Sequence, residues 1–192
     1  MRAAGLLVML APAACVREPA RAVCPKIAAG DLVVTEIRGP QTREDAGGSW
    51  VELYNASGIT IDLIGLRVRF RQLTDSKNGG TPILVRRSLL AAPGSYTVLG
   101  LFDDTDPPTH VDYGFLDDYE GGWIAQGAIE VESCDASIDH AQYGPLPRMG
   151  TYSLGGAPDA NRNDLAASWC TDATQVGTTA PGTPKSANIA CP

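Results

Sequence analysis

Beyond about residue 30 the apolar residues fall in short runs bounded by Gly, Pro, Asn and Asp. Leu32-Val-Val-Thr-Glu-Ile37 and Trp50-Val-Glu-Leu-Tyr54 are rich in β-branched and aromatic residues and have strand length. Thr60-Ile-Asp-Leu-Ile64 alternates polar with apolar, and Leu66-Arg-Val-Arg-Phe-Arg71 does so most cleanly. In an extended chain the latter turns Leu66, Val68 and Phe70 to a core and Arg67, Arg69 and Arg71 to the opposite face. The same reading predicts strands over 82–85, 95–101, 111–114, 128–132 and 137–143, with Pro93-Gly94 marking a turn. No stretch of ten or more residues carries a helical apolar stripe. Closely spaced short strands of this kind predict an all-β fold with two stacked sheets, a β-sandwich. After Tyr143 the pattern thins into Gly, Pro, Ser, Thr and Asn, yet Trp169, Cys170 and Cys191 would be wasted on a loose tail. Residues 144–192 are therefore expected to be ordered but irregular backbone draped over the sheets. Trp50 and Trp169 are expected in the core and Trp123, after Gly121-Gly122, at the surface. Glu52 and Asn55 are expected to fix backbone near a turn.

Composition adds to this picture. The chain has 192 residues, enough for one domain, and its 21 Gly and 14 Pro favour turns over long helices. A net charge of -7 sets the molecule against nucleic acid, which is not an expected partner. Arg2 is followed by twelve uncharged, mostly apolar residues and then Cys15. That is too short for a membrane-spanning helix but suits the apolar stretch of a secretion signal. Ala13 and Ala14 immediately before a cysteine resemble the bacterial lipoprotein processing site, which implies cleavage after residue 14 and a lipid on Cys15, although Pro12 stands where Leu is usual. Residues 15–30, with two prolines and no periodic apolar pattern, read as a tether, and 31–192 as the folded body. Val16 after the lipidated cysteine, where Asp would retain a Gram-negative lipoprotein at the inner membrane, points to the outer membrane. The remaining location is the periplasm or the exterior.

Five cysteines are an odd set. Giving Cys15 to a lipid leaves Cys24, Cys134, Cys170 and Cys191, which can close as two disulfides in an oxidising compartment, in any of three pairings. Cys24 with Cys191, tying the two ends together, and Cys134 with Cys170 is the favoured set. A zinc site is disfavoured, because no CxxC spacing occurs and His110 and His140 form no ligand pair.

Charge is segregated along the chain. Arg67, Arg69, Arg71, Lys77, Arg86 and Arg87 lie close together with one acid among them, Asp75. Between Arg87 and Arg148 there are eleven acids and no Lys or Arg. The stripe Arg67, Arg69 and Arg71 could grip phosphate, a polyanionic glycan or the acidic surface of a partner protein, or pair with the acids of its own chain. Asp103-Asp-Thr-Asp106 would be the nucleus of a weak calcium site, since hard oxygen ligands select that ion; the plain alternative is a solvated acidic loop. No other cofactor is implied. A nucleophile elbow is missing, because Thr151 stands where the first Gly of Gly-x-Ser-x-Gly is required, and neither a P-loop nor a dinucleotide fingerprint occurs. The expected chain is non-catalytic and monomeric.

Several segments in order resemble the lamin-tail domain: Val34-Thr-Glu-Ile37, Ser49-Trp-Val-Glu-Leu-Tyr-Asn55, Ile61-Asp-Leu-Ile-Gly65 and Leu90-Ala-Ala-Pro-Gly-Ser-Tyr-Thr-Val-Leu99. Ile138-Asp139, Tyr143-Gly144, Thr151-Tyr-Ser153, Trp169 and Ala180-Pro-Gly-Thr-Pro-Lys-Ser-Ala-Asn188 continue the series. The closing motif departs from the family's usual Thr-Pro-Gly. The resemblance implies an immunoglobulin-like β-sandwich over about 31–192, and with the leader it implies a secreted bacterial protein that binds or scaffolds at the cell envelope. The alternative is a secreted hydrolase or a nuclease accessory factor, because such modules often accompany catalytic domains.

Overall fold

The computed structural model describes residues 23–42, 47–73, 80–119, 122–176 and 180–192. The expected signal segment 1–14, Cys15 and the tether up to residue 22 lie outside the described residues, as do Asp75 and Lys77. In chain order the strands are β1 Leu32–Arg38, β2 Trp50–Asn55, β3 Ile61–Asp62, β4 Leu66–Arg71, β5 Thr81–Leu84, β6 Leu90–Ala91, β7 Tyr96–Gly100, β8 Tyr113–Gly114, β9 Gly127–Ser133, β10 Ala136–Tyr143, β11 Thr151–Leu154, β12 Trp169–Asp172, β13 Gln175–Val176 and β14 Ala180–Pro181. Helix among the described residues is confined to two 3-10 turns, Leu116–Asp118 and Ala166–Ser168. The fold is all-β.

Two sheets dominate. The larger runs β12-β11-β1-β2-β7-β8 and the smaller β10-β9-β4-β5; every pairing is antiparallel except the β7–β8 edge. One apolar cluster draws on both: Val34, Ile37, Val51, Leu53 and Leu99 from the larger sheet meet Val68, Phe70, Ile129, Val131 and Ala141 from the smaller. Each such aliphatic or aromatic side chain removed from water contributes roughly 1.5–3 kcal/mol, which outweighs the intrinsic preferences of the short connecting strands. In β4 the alternation is realised as read, with Leu66, Val68 and Phe70 buried and the three arginines half-buried on the outside.

Asp139 ties the sheets together. The register shifts in β10 between Ser137 and Asp139 and in β1 between Val34 and Glu36 fall at the residues through which the two strands meet. The Val34 N–H donates to the Asp139 carboxylate at 2.7 Å, and Asn163 Nδ2 donates both to that carboxylate and to the Val34 carbonyl. Burial outweighs these donors and pushes the Asp139 carboxyl up to about 6.

Several expectations are corrected. The disulfides are Cys24–Cys134 and Cys170–Cys191, with Cα separations of 5.5 and 5.6 Å, not Cys24–Cys191 and Cys134–Cys170. Local neighbours decide the pairing. Residues 23–30 run beside β9 and β10, where Ser133 Oγ donates to the Pro25 carbonyl and the Gly30 N–H to the Ile138 carbonyl, so Cys24 reaches the β9–β10 turn. Asn188 Nδ2 donates to the Leu154 carbonyl and holds the chain end against β11 and β12, so Cys191 reaches Cys170. Residues 23–30, expected in the tether, thus belong to the body, and Ile27 joins its core. The stretch after Tyr143 is more regular than expected: β11 and β12 complete the larger sheet. Trp123 is half-buried rather than surface-exposed, packed among Phe70, Phe115 and Tyr119. Two disulfides in one body mark a chain that folds in an oxidising compartment, outside the reducing cytoplasm. Among the described residues, no helix is long and apolar enough to cross a membrane.

Candidate binding surface

The outer face of the smaller sheet carries the arginine stripe. Antiparallel pairing of β4 with β9 sets Glu132 opposite Arg67 and Glu130 opposite Arg69. The ion pairs run along the diagonals, from Arg69 to Glu132 at 3.3 Å and from Arg71 to Glu130. On the far side of β9, His140 of β10 stands opposite Glu130, with Nδ1 3.4 Å from Asp164. Of the two fates open to the stripe, pairing with acids of its own chain is therefore realised for Arg69 and Arg71. Half-exposed pairs of this kind stabilise by about 0.2–1 kcal/mol each. Rows of opposite sign make a mixed-charge face, and such a face complements a protein surface with its own alternating charges better than a polyanion.

In the acidic loop, Asp103 and Asp104 accept from the chain's own donors and Asp106 is exposed. Asp103 accepts the Thr105 N–H and hydroxyl, which turns the chain and holds its carboxyl below the usual range. Asp104 grips Arg87 in a two-point bond of 2.7 and 2.8 Å and accepts the Gly114 N–H. Burial raises its carboxyl, but these donors and the Arg87 charge outweigh it and hold the group low. Arg87 lies over the Tyr113 ring, 5.2 Å from its centre, and Arg86 pairs with Asp118 at 2.7 Å. The cleft between these pairs has a volume of about 260 Å³. Among the described residues no group of three or more His, Cys, Asp or Glu side chains could hold a metal ion.

A buried polar network on the outer face of the larger sheet was not foreseen. In β1, all seven residues are buried although Thr35, Glu36 and Arg38 are polar. The β1–β2 register sets Glu36 directly opposite Glu52, and neither side chain reaches solvent. Glu36 accepts from Thr151 and Ser153 hydroxyls and from the Thr183 N–H at 3.1 Å. Glu52 accepts the Thr35 hydroxyl at 2.8 Å and the Lys185 N–H at 2.7 Å. Burial pushes both carboxyls up; the charge of Glu36 adds to the effect at Glu52, which rises well above the carboxylate range. Asn55 fixes backbone as expected, its Nδ2 donating to the Ile59 and Ala91 carbonyls and its Oδ1 accepting from Ser57. Glu52 does so too, but at the remote turn of the covering segment that holds Lys185. The sequence signal for the network is a glutamate in the middle of each of two largely apolar strands, which alternation reads as solvent-facing.

His110 lies near the same sheet, its ring 6.5 Å from that of Trp50 and its Nε2 3.0 Å from the Gly47 carbonyl. Trp50 is fully buried with Val98 and Val111 under the loop that follows β7. At the end of the smaller sheet remote from Cys134, Gln72, Leu73, Trp123 and Gln126 line a second hollow of about 380 Å³. Comparison with protein-family models, with curated proteins and with solved structures finds no match.

Proposed function

We propose that this chain is a non-catalytic binding or scaffolding module, held by a lipid on Cys15 at a bacterial cell envelope, with an immunoglobulin-like sandwich of the lamin-tail type as its body. The observation that carries the reading is the cysteine pairing. Cys24 closes with Cys134 and Cys170 with Cys191, so the four body cysteines are used among themselves and Cys15 is the odd one. An odd cysteine directly after Ala13-Ala14 suits acylation better than a structural role. One acyl chain holds a protein only weakly, so stable attachment needs the several chains that bacterial lipoproteins carry.

The Cys24–Cys134 bridge supports the scaffold reading further, since it fixes the site where a tether would leave the body at the β9–β10 turn. The mixed-charge face of β4 and β9 is the surface we assign to an envelope protein; a glycan is the lesser candidate because Glu130 and Glu132 already balance Arg71 and Arg69.

The test is detergent partitioning of the full chain expressed in a bacterial host, with labelled fatty acid supplied. The wild type should enter the detergent phase and carry label, and Cys15→Ala should stay aqueous and unlabelled. An unlabelled, aqueous wild type would refute the anchor. Crosslinking in intact cells, compared with an Arg67→Glu/Arg69→Glu/Arg71→Glu variant, tests the face; equal capture by both would reject it.

A further inference from the structure

We infer that residues 182–188 form a strap whose seating on the larger sheet is gated by protons: it lies closed while the Glu36–Glu52 pair keeps a proton between them and lifts as the pair loses it. The strap crosses the outer face of β1 and β2 on four anchors. The Thr183 N–H donates to Glu36, the Lys185 N–H to Glu52 and Asn188 Nδ2 to the Thr35 carbonyl, while Lys185 Nζ pairs with Asp112 at 2.8 Å. Within the strap, the Thr183 hydroxyl donates to Asn188 Oδ1 at 2.8 Å. Beyond it Cys191 is crosslinked to Cys170, so a lifted strap stays attached at its far end.

The geometry makes the closed strap sensitive to protonation. Two carboxylates facing each other across neighbouring strands, both out of water, repel strongly if both ionise. A single retained proton turns repulsion into tolerance. Two neighbouring acids add to the cost of a second ionisation. Asp172 of β12 raises Glu36, and Asp112 raises Glu52. Lys185 is engaged with Asp112, and Arg38, on the same face of β1, donates to the Gly48 carbonyl. Tyr96 of β7 lies near Glu52, and its hydroxyl is held neutral by burial and by that charge. Lifting the strap admits water to both carboxylates and so lets them ionise at a lower pH. Closure therefore takes up protons. The sign follows: the closed state holds at low pH, and the lifted population grows by up to tenfold per pH unit for one proton released, between the ionisation of the lifted pair and that of the closed pair.

Amide hydrogen exchange of the disulfide-intact chain between pH 5 and 9, corrected for intrinsic rates, tests this. Protection at Thr183 and Lys185 should fall by up to tenfold per pH unit over part of that range, while Val68 and Val131 in β4 and β9 keep theirs. Glu52→Gln leaves an oxygen for the Lys185 N–H and removes one charge, so its strap protection should be flat with pH; Glu36→Gln should behave alike and serves if the first variant fails to fold. Constant wild-type strap protection would overturn the inference. So would an unchanged slope in a folded variant, or loss of protection at Val68 and Val131 in step with the strap.

Discussion

Replacing cysteines in pairs tests the crosslinks directly, because the two pairings predict opposite orders of damage. In a Cys15→Ala background, Cys24→Ala/Cys134→Ala opens one bridge that spans 110 residues, and Cys170→Ala/Cys191→Ala opens one that spans 21. On the chain-entropy model, closing loops of those lengths stabilises by about 4.8 and 3.3 kcal/mol respectively. The mixed variant Cys24→Ala/Cys191→Ala opens both and strands two thiols, a combined loss of roughly 8 kcal/mol, which would consume most or all of an ordinary domain's stability. Urea unfolding followed by tryptophan fluorescence suits the measurement, since Trp50 and Trp169 are both buried. The expected order of stability is parent, then the 170/191 variant, then the 24/134 variant, with the mixed variant last and barely folded. Had Cys24 been joined to Cys191, the mixed variant would lose a single bridge and the 24/134 variant both. A mixed variant as stable as either matched one would refute the pairing and the neighbour argument behind it.

Three further expectations follow from the contacts above. Asp139 keeps its proton to about pH 6 when folded against 3.8 for the free group, so its share of stability is fully present below pH 3.8 and is lost as pH rises through about 6, a loss of roughly 3 kcal/mol. Asp139→Asn keeps an oxygen for the Val34 N–H, so unfolding free energies at pH 4 and 8 should differ by up to ~3 kcal/mol less in the variant than in the wild type; an equal difference in both would show that Asp139 is not the titrating group. Gly182 has φ +113°, and a side chain there would meet Thr151 Cγ2 at 2.6 Å and Glu36 Oε1 at 2.9 Å. Gly182→Ala should cost about 1–3 kcal/mol and lower the melting temperature, and an unshifted melt would contradict the tight seating of the strap. Arg69→Glu/Arg71→Glu places like charges beside Glu132 and Glu130, so stability should fall by roughly 1 kcal/mol and recover with added salt, whereas a salt-independent effect would argue against the two pairs.

Most strands were legible because their cause is local. Leu66–Arg71 alternates along its whole length, and the structure places it between the same two residues. Asn55 and Pro93-Gly94 bracket turns with side-chain and backbone chemistry that short windows reveal. Long-range pairing was not legible. Nothing in Thr151-Tyr-Ser-Leu154 distinguishes a sheet strand from irregular chain until β1 and β12 are beside it. Glu36 and Glu52 each look solvent-facing in isolation, and only the β1–β2 register joins them under a cover supplied more than a hundred residues later. Disulfide pairing failed for the same reason, since it reports which chain ends become neighbours. The arginine stripe was placed on the right face, but its partners came from a strand about sixty residues away.

The Cys24–Cys134 bridge governs what a break in the backbone does to the molecule. A single cut anywhere between those two residues severs the backbone but not the covalent circuit, so the amino-terminal piece stays joined to the remainder through sulfur. A nicked molecule would migrate as one band without reductant and two with it.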